Sequence, residues 1–444
     1  MKTPDPTPSV AFKHRALHTA ALAIESLLAT VLLLLYLTTV LVSADHDKNV
    51  PSFMEGITGV VVLCLVVLIV TVVVFLACRK LQQRSWARLA VGYVALAGVL
   101  VYLAHDEPTF RHPVTMEEIS PVFPGAEASY AVLMRYGNQH PLGQSFKAPV
   151  FKGRWPFVDG PGKPEAWRKA ITAIRPELEA NWAGLTTERA WWAELSAFDR
   201  IGDLMPAQYD AEIMTFAVVR AVTQYGVAIA SLQAIDGHGD EAIDTLLPIL
   251  GVGRKLQPYS RSLVRSMVSV VVEKMSLNAA AFILDTTPVS AAAKAKLVAA
   301  LEGGDPERGA RNLLATEYAR QFGWMSHEKA GNLLSVVQNG SDNRHPWGTR
   351  VLNLISPLAY NPHITFNQVG DLYADMSDLT AKRELDKFDA RWKSYFDEAS
   401  GAGIKNLFGR YLTMMMIPAY QKVAESYWQT QDLRASLLAR LAKP

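Results

Sequence analysis

A stretch in the second quarter of the chain combines aromatic and basic side chains in a run rich in glycine and proline. Its members are Phe146, Lys147, Phe151, Lys152, Arg154, Trp155 and Phe157. Aromatic rings supply contact area and cations supply orientation, so this composition is typical of a surface that recognises a glycan, an anionic headgroup or a partner protein. The alternative is that the rings cap a helical core while the charges face water.

A second candidate is the segment DNRHPWGTR, in which Pro346 and Gly348 predict a loop. Two arginines, Arg344 and Arg350, flank His345 there. Guanidinium groups hold carboxylates and phosphates well, so the segment could form an anion or polar site. A plain structural turn is the alternative.

The third candidate is Glu25, a carboxylate inside the first long apolar stretch of the chain. An ionisable residue within a membrane is a candidate for transport or proton relay. Only about two helical turns separate Glu25 from the basic tail that precedes it. The alternative is therefore a position near the cytoplasmic interface or a pairing with a neighbouring helix.

A run of acidic residues also brings oxygen ligands together, as hard cations require. The run contains Asp236, His238, Asp240, Glu241 and Asp244. Asp240 and Glu241 stand where acidic residues are expected at a helix N-terminus, because they complement the helix dipole. We therefore expect no metal and no cofactor here.

The segment AESYW, Ala424 to Trp428, resembles the Glu-Ser pair that opens the catalytic signature of lytic transglycosylases. In that family a Gly-Leu-Met-Gln-like segment follows downstream and shapes the glycan cleft. Here only 16 residues follow Trp428, and they form a plain amphipathic pattern. We expect Glu425 to be a surface residue.

The segment GHGDEAIDTLLPIL resembles the second half of a tetratricopeptide-type helical hairpin, through Gly237, Ala242, Ile243 and Leu250. The resemblance covers about 20 residues of the 444, and no 34-residue period continues on either side. It implies stacking of helical hairpins.

Familiar catalytic signatures are missing from the sequence: it contains no G-x-S-x-G, no phosphate-binding loop and no dinucleotide fingerprint. Both cysteines, Cys64 and Cys78, lie in the second apolar stretch, so the rest of the chain has no disulfide and no thiolate site. An enzyme would need residues distant in sequence, for example Glu127, His140 or His345.

Three apolar stretches in the first hundred residues are each about the length that crosses a bilayer as a helix. They cover residues 17–42, 57–78 and 86–104. Arg and Lys collect in the tail of residues 1–16 and in the loop after the second stretch. The positive-inside rule then places the N-terminus in the cytoplasm and everything after the third stretch on the opposite side.

Four prolines predict an extended linker over residues 105–124, and a large α-helical domain follows over residues 125–444, with a division near 339–345 left open. Apolar residues three and four positions apart predict one helix from Pro164 through Trp182. The same pattern predicts others, including Ile404 to Tyr427 and Gln431 to Ala442. The fold class is thus mostly α, three transmembrane helices followed by stacked antiparallel helical hairpins.

The charge balance, 44 basic against 42 acidic residues, argues against a nucleic-acid partner. The favoured interpretation is a membrane-anchored helical interaction or scaffold protein outside the cytoplasm, with the bilayer and one or more proteins as partners. The chain could belong to a larger membrane assembly. Two alternatives remain: a hydrolase acting on envelope material, and an accessory subunit of a transporter.

Overall fold

The computed structural model describes residues 98–99, 101–139, 164–207, 216–328, 333, 360–400, 405–415 and 420–443. Within these ranges every regular element is a helix and no strand occurs, which confirms a mostly α chain. Of the three predicted spans only residues 98, 99 and 101–104 are described, and they are helical. Residue contacts divide the chain into two compact units.

The first unit contains, among the described residues, 98–99, 101–105 and 405–407, and the second contains the remainder. The described α-helices are, in chain order, α1 (Met116–Ile119), α2 (Ala126–Gln139), α3 (Pro164–Ala173), α4 (Arg175–Gly184), α5 (Thr186–Ala197), α6 (Ala217–Ile235), α7 (Gly239–Leu256), α8 (Leu263–Thr286), α9 (Ala291–Leu301), α10 (Pro306–Met325), α11 (Pro362–Ala381), α12 (Phe388–Ser400), α13 (Leu407–Met415) and α14 (Tyr420–Leu441). Two 3₁₀ turns, Gln257–Tyr259 and Leu385–Lys387, precede α8 and α12.

Several helices begin at residues whose side chains cap them. The Ser262 hydroxyl accepts a hydrogen bond from the Arg265 N–H at the start of α8 (3.2 Å). The Asp305 carboxylate accepts one from the Arg308 N–H at the start of α10 (3.0 Å), where Pro306 occupies the first helical position. Such caps satisfy backbone donors that have no partner within the helix. The helix starts therefore follow directly from the sequence.

Two predicted helix boundaries are wrong, each for a physical reason. The stretch from Pro164 is two helices, α3 and α4, because Pro176 follows the break at Ile174 and cannot continue the ladder of backbone hydrogen bonds. At the C-terminal end, α14 runs without interruption from Tyr420 to Leu441. Its start follows Pro418, a residue that favours a helix boundary, whereas no helix breaker occurs between residues 427 and 431.

The core of the second unit is the mutual packing of α6, α7 and α8. Leu246 of α7 and Leu277 of α8 are fully buried in it. Gly253 allows α7 to approach α8 closely, since a Cβ there would lie 2.9 Å from a methyl group of Val272. Truncating a leucine in such a core to alanine costs about 2–5 kcal/mol. Helix α14 packs against α8, α9 and α10, and α10 pairs with α11.

Two described helices are long and apolar enough to cross a membrane by length and composition, Val218–Ile235 within α6 and Leu263–Thr286, which is α8. In these stretches 78% and 67% of the residues are buried inside the protein. Core helices pass the same test as membrane spans. The apolar character of α6 and α8 is thus explained by their place in the core.

Candidate functional site

A strap of residues 106–115, which lacks regular structure, packs along the first half of helix α11. The Asp106 carboxylate accepts hydrogen bonds from the backbone N–H groups of His363 (3.0 Å) and Ile364 (2.9 Å) in the first turn of α11. Asn361 occupies the N-cap position, but its side chain does not cap the helix. Asp106 therefore supplies the cap from 257 positions earlier in the chain.

His363 is held against the strap by its ring. Its Nδ1 lies 2.5 Å from the carbonyl oxygen of Glu107 and 3.5 Å from a carboxylate oxygen of Asp106. A carbonyl oxygen only accepts, so the proton resides on Nδ1. Phe110 packs edge-on against this imidazole at 4.1 Å and against Phe322 at 4.9 Å. The strap is therefore fixed by apolar as well as polar contacts.

One helical turn further along α11, the buried side chain of Asn367 contacts the strap with both ends of its amide. Its oxygen accepts from the Arg111 N–H (2.5 Å). Its nitrogen donates to the Thr109 carbonyl (3.0 Å) and to the Glu107 carboxylate. An amide offers a donor and an acceptor at once, so Asn367 fixes the register of the strap on the helix.

Asp371, a further turn along α11, contacts two side chains of the strap. Its carboxylate accepts from Arg111 Nη1 (2.6 Å) and from His112 Nε2 (2.7 Å). The Tyr318 hydroxyl of α10 donates to the His112 carbonyl (2.9 Å), and burial raises the pKa of Tyr318. The neighbouring Gly370 leaves room for this contact, because a Cβ there would lie 2.8 Å from the Tyr318 hydroxyl.

The His112–Asp371 pair has the geometry of a carboxylate orienting an imidazole, as in hydrolases. Two features argue against that chemistry. Asp371 already binds the Arg111 guanidinium. None of the described hydroxyl groups hydrogen-bonds to His112 or to His363. A nucleophile within hydrogen-bond distance of the base is what such chemistry requires. The contacts of the strap site therefore hold the strap on α11 and do not form a catalytic pair.

A second polar cluster, which sequence reasoning missed, surrounds Glu273 in the middle of apolar α8. Its side chain is 3% exposed, and burial raises the pKa of its carboxyl group. Arg254 Nε lies 3.7 Å away, and Oε1 of Glu273 accepts no hydrogen bond. Arg254 itself donates to the carbonyls of Glu302 and Gly303 (2.9 Å each) just beyond the end of α9. Glu273 is buried, Arg254 is partly exposed, and the cluster holds helices together.

A third polar cluster is a buried ion pair that joins the loop of residues 201–207 to the start of α8. Asp203 and Arg265 are 1% and 2% exposed, and their carboxylate and guanidinium groups lie 2.6 Å apart. Asp203 also accepts from the backbone N–H groups of Met205 (3.0 Å) and Arg261 (2.7 Å). Backbone donors and a guanidinium together compensate for the buried charge.

The acidic run at the start of α7 divides its carboxylates among different helices. Asp236 forms a bidentate ion pair with Arg175 (2.6 and 2.7 Å), and this pairing lowers the pKa of Asp236. Asp244 binds Lys296 (2.7 Å). Asp240 accepts from the Ser290 N–H (2.8 Å). Among the described residues no three metal-competent side chains converge.

Most sequence-predicted site residues lie outside the described residues: Glu25, His140, Phe146, Lys147, Phe151, Lys152, Arg154, Trp155, Phe157, Arg344, His345 and Arg350. Glu127 is exposed in the first turn of α2, and Glu425 is half-buried on α14. Glu425 accepts a hydrogen bond from Gln421, one turn earlier (3.0 Å).

The first unit exposes an apolar surface. Val99, Val101 and Tyr102 are 45%, 67% and 56% exposed, and Leu407 is 39% exposed. The Lys405 ammonium lies 5.1 Å from the centre of the Tyr102 ring. We call these five residues the interfacial patch. Isolated apolar residues on a surface are ordinary, whereas these four share one compact unit with Lys405.

A comparison of the chain with known protein families, with curated proteins and with solved structures gave no match.

Proposed function

We propose that this chain is a membrane-anchored helical scaffold that holds a partner protein outside the cytoplasm. In this proposal residues 17–104 form three transmembrane helices, residues 1–16 lie in the cytoplasm, and residues 125–444 form stacked antiparallel hairpins on the far side. The observation that carries it is the exposure of Val99, Val101 and Tyr102 at the end of the third apolar stretch.

The exposure supports an anchor because of its energetics. Each Å² of apolar surface left in water costs roughly 25 cal/mol, and a bilayer removes that cost. Valine favours the hydrocarbon region, and tyrosine favours the boundary between hydrocarbon and headgroups. The helix of residues 101–104 ends two residues after this tyrosine, and His105 and Asp106 follow. This order of residues matches a helix that leaves a membrane.

The other apolar helices support the same assignment indirectly. Helices α6 and α8 have the composition of spans but are mostly buried in the second unit. Their apolar faces are therefore already occupied by protein. Residues 17–104, whose composition predicts three spans, are therefore the stretch to which we assign the anchor in this proposal.

The scaffold assignment rests on the polar groups of the second unit. The charged residues discussed above cap helices, pin loops or pair across the strap, and no described cleft contains a nucleophile beside a base. Packed helical hairpins with such interiors are typical of proteins that present a rigid surface to a partner. The aromatic and basic stretch from Phe146 to Phe157 is the proposed contact surface.

Two measurements test the proposal. Extraction of membranes at high pH should leave the full chain in the lipid fraction, and release into the soluble fraction would reject the anchor. Affinity purification of the full chain in mild detergent should then yield a stoichiometric protein partner. The double variant Phe151→Ala/Trp155→Ala should lose that partner, whereas Trp392→Ala, an aromatic substitution on α12, should keep it. A clean monomer in every case would reject the scaffold.

A further inference from the structure

The interfacial patch joins residues from opposite ends of the sequence. Tyr102 lies in the helical segment of residues 101–104, and Lys405 comes from the connection that precedes α13. Their side chains meet with the ammonium group 5.1 Å from the ring centre. Val101 and Leu407, both exposed, lie beside them in sequence. A segment from the C-terminal half of the chain thus belongs to the same compact unit as the predicted membrane helices.

The charge of Lys405 has no partner carboxylate in the described part of the chain. Some other surface cations there are paired, for example Arg111 with Asp371 and Lys296 with Asp244. The Lys405 ammonium instead lies near the ring of Tyr102. A lysine beside an exposed aromatic ring extends its stem along apolar surface and presents its ammonium to water or to an anion.

We propose that Lys405 and Leu407, together with Tyr102, form a second membrane contact that binds the phosphate of an anionic phospholipid. This inference rests on the proposed membrane anchor. Tyr102 and Leu407 lie at the level where acyl chains meet headgroups, and Lys405 reaches the headgroup phosphate. An aromatic ring, an aliphatic side chain and a lysine at one place are the composition that this boundary favours. The contact would attach the start of α13 to the bilayer surface.

A different role for Lys405 makes a different prediction. The ammonium could merely complement the carbonyl groups at the C-terminal end of the helix of residues 101–104. In that case its removal would act alike in neutral and in anionic membranes, because the helix end is the same in both.

The test uses the full chain with Cys64→Ser and Cys78→Ser, reconstituted in nanodiscs of phosphatidylcholine with or without phosphatidylglycerol. A bimane fluorophore is attached to Leu407→Cys or, in a second sample, to Val101→Cys. A spin label on the lipid headgroup should quench the Leu407→Cys fluorophore about twice as strongly when phosphatidylglycerol is present. Lys405→Gln should abolish that difference, and Lys393→Gln, an exposed lysine of α12, should preserve it.

Three outcomes would overturn the inference: no quenching at Leu407→Cys, equal quenching in both lipid mixtures, or the same response in Lys405→Gln as in the parent protein. Inorganic phosphate is added as a competitor, to distinguish a site for the free anion from a site for the lipid. Only a site for free phosphate would lose the lipid-dependent difference in quenching. The Val101→Cys fluorophore reports the anchor separately. If it is quenched while Leu407→Cys is not, the anchor stands and only the second contact fails.

Discussion

Asp106 caps helix α11 by accepting a hydrogen bond from the backbone N–H of His363 at 3.0 Å, across 257 positions of sequence. The residue that follows the apolar N-terminal region is thereby fixed to a helix of the second unit. Both residues belong to the second unit, so the contact fixes the start of the strap to helix α11 within that unit.

Replacing Asp106 by alanine should destabilise the second unit by about 1 kcal/mol, because two first-turn N–H groups of α11 lose their acceptor. Asp106→Asn should cost less, since an amide oxygen can still accept one of these bonds. Chemical denaturation of the full chain in detergent, followed by circular dichroism, measures both. Asp386→Asn, on the exposed 3₁₀ turn before α12, serves as the control and should change little. An equal loss of stability in Asp386→Asn would contradict a specific contribution of the Asp106 cap.

Gly370→Ala should destabilise the contact between strap and α11 by about 1–3 kcal/mol. The new methyl group would lie 2.8 Å from the Tyr318 hydroxyl and 2.9 Å from Cβ of His112, which is closer than packed atoms tolerate. Gly251→Ala is the matched control within a helix, because a Cβ there meets nothing within 4 Å. It should stabilise α7 by about 0.5–1 kcal/mol, the usual gain over glycine in a helix. Thermal unfolding should therefore move in opposite directions for the two variants.

Whether a contact could be predicted from the sequence depends on how far apart its two residues lie along the chain. Helix α10 was predictable because Asp305 and Pro306 sit beside the residues they cap. The Asp106 cap was not, since no local pattern links a strap residue to the N–H of His363, 257 positions later. A hint was present at α11 itself, whose first turn contains no acidic residue and whose N-cap side chain does not cap it.

The buried polar clusters were missed for a related reason. Glu273 appeared as one charged residue within a long apolar helix, and the partner that approaches it, Arg254, lies on the preceding helix. Only the packing of α7 against α8 brings them together. A charged residue in the middle of a mostly apolar helix was the available signal, because a buried charge needs a partner.

Arg265→Met should destabilise the second unit by about 3–5 kcal/mol, because it leaves the carboxylate of Asp203 buried without its cation. The double variant Arg265→Met/Asp203→Asn should recover part of the loss. Arg311→Met breaks the exposed pair with Asp378 and should cost less than about 1 kcal/mol. Urea midpoints of the four proteins give the comparison. If Arg265→Met and Arg311→Met lower the free energy of unfolding by the same amount, the buried pair stabilises the protein no more than the exposed pair does.

Glu273→Gln should change stability in a way that depends on pH. Burial raises the pKa of the Glu273 carboxyl in the folded chain above its unfolded value near 4.3. Between these two pKa values the folded state binds more protons than the unfolded state, so wild-type stability falls as pH rises through that window. Glutamine does not titrate, and it removes this penalty.

The free energy of unfolding of Glu273→Gln should therefore increase relative to that of the wild type as pH rises above the unfolded pKa of glutamate, about 4.3. Glu425→Gln, on the partly exposed side of α14, provides the matched control and should show little such trend. Denaturation in urea at a series of pH values, with both variants and the parent protein, measures the difference. A Glu273→Gln difference that stays constant over this range would mean that Glu273 titrates alike in the folded and unfolded chains.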